Sequence, residues 1–251
     1  MAFGLVVVTA MAWWFLTAGM HAISIAPAGA DLPSAHDHAH MTVAVARPWG
    51  YGQWVAALLM WIAMTVAMML PTAAPAILSF ADADGATGMS TSLRQTGALT
   101  SGYLFVWWIF GAVATGLQWL LASSMRLLPA HTGVAAASTG CLLMLAGLYQ
   151  FSSLKRRCLA HCHGPLSYFR SHWCAAPPGA FWLGTRHGLR CLGCCWALML
   201  LMLLGGAMSI GWTAALTGLM LAEKVLPNGG WLGRVVGFGL IGWGSVLLSV
   251  A

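Results

Sequence analysis

Charge is what this chain has least of. Only 6% of its 251 residues are charged and 60% are hydrophobic, whereas an ordinary soluble domain is about one quarter charged. A water-soluble globule is excluded, and an integral membrane protein is the class that remains. Acids are scarcest, with five Asp and Glu in all and Glu223 the one glutamate. Paired-carboxylate acid–base chemistry therefore has few candidates, and no convincing Ser/His/Asp arrangement is present. The chain also lacks a glycine-rich phosphate loop with its Lys and Ser/Thr. No basic stripe with interleaved aromatics accompanies the formal net charge of +6, so no nucleic-acid partner is expected.

What is present in quantity is apolar length. A bilayer is crossed by about 20 apolar residues, and six runs qualify, at about 3–25, 54–80, 98–121, 134–151, 191–222 and 231–250. The expected fold is all-α: a polytopic membrane helix bundle of about six transmembrane helices, forming one integral membrane domain over 1–251. The first run has no Lys or Arg ahead of it and exceeds a usual signal core, so it reads as a retained helix rather than a cleaved leader. The run at 191–222 is longer than a bilayer is thick, which predicts a tilt, kink or projection. Pro71 and Pro75 each remove a backbone donor, so the end of the second helix should kink or unwind.

Most basic residues sit together. Between Lys155 and Arg190 there are six Lys or Arg and no acid, which places the loop 154–190 in the cytoplasm. With six spans, both termini are then cytoplasmic and the loop 27–53 lies outside the cytoplasm. The expected location is a bacterial inner membrane, with the lipid bilayer as the first partner. Further partners expected are other membrane subunits or a metal donor protein.

The cytoplasmic loop also gathers the sulfur. Six of the seven cysteines and four of the nine histidines fall between Cys158 and Cys195. On a helix, Cys158 and Cys162 share one face, and so do Cys191 and Cys194. Two such pairs facing each other supply the four sulfurs of a closed tetrahedral site, with His161, His163 and His187 as substitutes. Cys195 points about 100° away from Cys194 on a helix, so it reads as a reserve ligand. Cys141, inside an apolar run, reads as a small apolar filler. Cytosolic thiols are kept reduced, so clustered cysteines here point to metal rather than disulfides. Across the membrane, His36, His38 and His40 alternate near Asp37 and Met41, a donor set suited to copper or zinc. Met60, Met64 and Met68 recur every four residues, a stripe that reads first as packing and otherwise as a soft track for Cu(I).

Several of these residues occur in an order that resembles a known bacterial family, the predicted metal-binding integral membrane proteins of unknown function. The matching pieces are Trp61-Ile62-Ala63-Met64, Ala67-Met68-Met69-Leu70-Pro71 with Pro75, and Tyr149-Gln150 with Lys155, Cys158 and Cys162. They continue through Gly184, His187-Gly188, Cys191 to Trp196, Leu198-Met199 and Glu223-Lys224. The resemblance implies a multi-helix membrane protein that binds a metal, without naming the ion or a reaction.

Thiols, thioethers and imidazoles together suit a soft transition metal, copper before zinc. The function expected is copper binding or handling through the Cys/His cluster. One alternative is an accessory subunit of a larger membrane complex, suited to spans with few internal charges. Another is a membrane thiol oxidoreductase using Cys191, Cys194 or Cys195.

Overall fold

A computed structural model describes residues 2–25, 50–81, 93–127, 132–163, 177–202, 210–226 and 229–250. Helix accounts for nearly all of them: α1 (Ala2–Ile25), α2 (Tyr51–Ala81), α3 (Leu93–Leu127), α4 (Thr132–Gln150), α5 (Ser153–His163), α6 (Pro177–Leu200), α7 (Ile210–Val225) and α8 (Gly230–Val250). No strand occurs among the described residues, in keeping with an all-α chain. Three of the described helices are long and apolar enough to cross a membrane: α2, the 93–121 portion of α3, and α8. Many of the largest apolar side chains face outward, among them Trp108, Ile109, Val113, Leu145, Phe238 and Trp243. An apolar exterior of this kind suits a lipid surround better than water.

The core is built on α2. Its Trp61, Met64, Met68, Met69, Leu70 and Ile77 are buried against Tyr103 and Trp107 of α3 and Leu198 and Met199 of α6. Met64 and Met68 of the methionine stripe are thus packing residues. α3 runs antiparallel to α2: Trp61 Nε1 donates to Gln118 Oε1 at 2.9 Å, and Tyr103 OH donates to the Met69 carbonyl at 3.1 Å. α6 runs parallel to α3 with the backbones in contact. A Cβ on Gly184 would overlap the Leu99 carbonyl, and one on Gly102 would overlap that of Phe181. Only glycine permits this approach, which sets the height of α6 against Tyr103. Gly140 and Gly147 of α4 meet Gly244 and Gly237 of α8 in the same way, antiparallel.

Local chemistry explains the helix ends. Ser152 interrupts the chain after α4 and caps α5, its Oγ accepting from the Lys155 N–H at 3.1 Å, an N-cap position. Pro177 and Pro178, within the stretch 154–190 expected to be a loop, form the first turn of α6, where a missing N–H costs nothing. Despite Pro71 and Pro75, α2 continues as helix to Ala81. Pro71 cannot donate to the carbonyl four residues back, that of Ala67, and Trp13 Nε1 of α1 donates to this oxygen instead, at 3.1 Å.

One expected element divides in two. The apolar run 191–222, read as a single fifth span, is the end of α6 and the whole of α7. Its two ends come back together, with Lys224 Nζ 3.0 Å from Cys191 Sγ. The run therefore reverses direction, which disposes of its excess length.

Candidate metal centre

Cys191, Cys194 and Cys195 occupy positions i, i+3 and i+4 on the buried side of α6, with their Sγ atoms all within 4.8 Å of one another. The 100° between Cys194 and Cys195 does not keep them apart. Helical side chains lean toward the N-terminal turn, so both thiols settle over Cys191 and donate to its carbonyl, at 3.0 and 2.9 Å. Cys195 thus lies with Cys191 and Cys194 in one group of sulfurs.

α5 brings the second pair to the same place. It lies against α6 and α7, and the Cys162 side chain comes beside that of Cys194. Cys158, half-buried, sits over Gly193, where an added Cβ would come 2.7 Å from its Sγ. Tyr149 OH donates to the Gly193 carbonyl, fixing that turn of α6 from the α4 side. The neighbouring Cys194, followed by burial, pushes the Cys162 thiol well above its ordinary range. Burial, followed by the nearby Cys194, pushes Cys158 up as well.

The histidines are placed differently. His187, one turn before Cys191, is buried with its ring 5.8 Å from that of Tyr103. His161 is exposed and its Nδ1 bonds the Arg157 carbonyl at 2.8 Å, while His163 Nε2 bonds the Glu223 carbonyl at 2.8 Å. None of the three is in the sulfur trio. His36, His38 and His40 lie outside the described residues, as does Cys174. Cys141 is exposed on α4, away from the cluster.

Four neighbours of the trio escape a reading by spacing. Tyr103 OH lies 3.2 Å from Cys191 Sγ, and Met69 Sδ lies 3.9 Å from Cys195 Sγ. Lys224 Nζ bridges Cys191 Sγ, at 3.0 Å, and Thr72 Oγ1, at 2.9 Å. The signal available was Glu223-Lys224, the one adjacent pair of opposite charges in an apolar run. Glu223 cannot neutralise its neighbour, because its carboxylate is held by Lys155 Nζ at 2.8 and 2.9 Å. Gln150 Oε1 also accepts from Lys155, and Gly233 leaves room for the pair, a Cβ there falling 2.8 Å from Glu223 Oε1. The Lys224 ammonium therefore faces sulfur. A metal held by thiolates carries surplus negative charge, and a cation 3.0 Å from one of them offsets it.

The donor chemistry fits a soft cation. Three thiols with a thioether beside them, and no carboxylate within the group, match Cu(I) or zinc and disfavour magnesium or calcium. Among known proteins, the family described as PpoB2, copper chaperone, matches residues 58–247. No curated protein and no solved structure matches the chain.

Proposed function

Because the chain belongs to the PpoB2 copper chaperone family, whose match spans residues 58–247, we propose that it is an integral membrane protein that takes up, holds and passes on Cu(I). The cargo is held by Cys191, Cys194 and Cys195, and Cys162 is the exchange ligand. The observation that carries this reading is the buried trio of sulfurs within 4.8 Å of one another. Burial keeps water and oxidants from a Cu(I) thiolate complex, and a chaperone must also release its metal. α5 supplies the route: half-buried Cys158 leads to Cys162, which lies beside Cys194. Copper moves along such a series by replacing one thiolate at a time, without passing through the free ion. His36, His38 and His40 add a set of borderline donors on the far side of the membrane, suited to capture there.

The test is copper stoichiometry of protein purified anaerobically in mild detergent and loaded with Cu(I). One tightly bound copper per chain is expected, lost when Cys191, Cys194 and Cys195 are replaced together by serine and kept in Cys141→Ser. Wild-type protein that takes up no stoichiometric copper, or a triple variant that still does, overturns the reading.

A further inference from the structure

Resting on that copper reading, we propose that Met69 is a thioether ligand of the metal, making the centre a mixed thiolate–thioether site built from two helices. With metal–sulfur bonds of about 2.3 Å, sulfurs sharing one tetrahedral ion lie about 3.8 Å apart. Met69 Sδ is 3.9 Å from Cys195 Sγ, so the separation already equals that of two ligands on one ion. The side chain is wholly buried, and its position is tied to the trio. The Met69 carbonyl accepts from Tyr103 OH at 3.1 Å and from Thr72 Oγ1 at 3.0 Å. Tyr103 in turn touches Cys191 Sγ, and Thr72 is joined to the same sulfur through Lys224. The groups that position Met69 are those that line the thiols. A neutral, soft thioether adds affinity for Cu(I) and little for Zn(II). Met69 is therefore a determinant of which ion the centre keeps.

The experiment labels the protein with selenomethionine, loads it with Cu(I) and reads the copper-edge X-ray absorption fine structure. A copper–selenium vector is expected in the labelled wild type and is expected to vanish in labelled Met69→Leu, whose other methionines still carry selenium. Met69→Leu should also weaken Cu(I) by about tenfold or more, the scale on which lost metal-site contacts are felt, while leaving Zn(II) affinity in place. Copper bound with sulfur scattering alone, or a selenium vector that survives Met69→Leu, overturns the assignment of Met69. Equal losses of Cu(I) and Zn(II) do the same, marking Met69 as a support of the fold. The absence of a selenium vector in the labelled wild type overturns the assignment even if the variant does not fold. Failure to take up copper at all defeats the copper reading itself, and the proposal with it.

Discussion

Lys224 shows how a single residue sets the character of the centre. Its ammonium is buried and touches a hydroxyl and a sulfur, with the adjacent carboxylate already engaged. Hydrogen bonds to charged groups are worth about 1.5–3 kcal/mol, so Lys224→Met should weaken Cu(I) binding by about ten- to a hundredfold. Lys224→Arg should recover most of it, and competition with a chromophoric Cu(I) chelator measures both. Cys158 carries a second expectation at this scale. Burial holds its thiol above the usual range, and only the thiolate alkylates readily. Its reaction with iodoacetamide should be slow at neutral pH and still be rising above pH of about 9, as followed by mass spectrometry. A rate that levels off below neutrality would mean a stabilised thiolate. The cysteines of the centre were legible in the sequence because they are close together in it. Met69 was not, since it reaches Cys195 across 126 residues. The period-four stripe of Met60, Met64 and Met68 singles out the neighbouring position, about 100° around α2.

Among the elements, α5 is held in part by a buried ion pair. It is short and basic, and it is joined to α7 by the Lys155–Glu223 pair, whose side chains are only 3% and 4% exposed. Removing one partner of a buried pair leaves an uncompensated charge and costs about 3–5 kcal/mol. Lys155→Met should therefore lower the thermal midpoint of the detergent-solubilised protein and loosen Cys162 from Cys194, while Lys155→Met with Glu223→Met should restore much of the loss. Similar midpoints for single and double variants would show that the pair contributes little. Hydropathy located the apolar runs around α1 to α4 and α8, because each is one stretch in one direction. It could not divide 191–222, since apolar side chains are equally at home in a helix that continues and one that turns back. What reveals the reversal is the Lys224–Cys191 contact, a fact of tertiary structure.

For the molecule as a whole, that reversal bears on the number of passes expected of it. Antiparallel α2 and α3, parallel α3 and α6, and antiparallel α4 and α8 put α5, Lys224 and the start of α8 at one end of the bundle. Three of the described helices are long and apolar enough to cross a membrane; were every helix but α5 to cross, this arrangement would make seven passes and put the C-terminus opposite the basic loop, where six spans put it on the same side. On that count Lys224 and Arg234 would join Arg94 and the six basic residues of 155–190 on the side expected to be cytoplasmic, leaving Arg47 and Arg126 on the other by sequence position. The charge bias would then be stronger than six spans make it. In intact cells, an impermeant thiol reagent should label Ala39→Cys and not Ser171→Cys, and a reporter fused after Ala251 should be active outside the cytoplasm. A C-terminal reporter active only in the cytoplasm would restore the even count.

Lys155 and Lys224 are the chain's two lysines, and they are 2% and 8% exposed. The folded protein consequently offers acylating reagents no accessible side-chain amine. A succinimidyl ester should leave both lysines unmodified for as long as the bundle stays closed. Slow acylation of Lys224 would then time the opening of the sulfur site, and a cargo that holds the site shut should stop that clock.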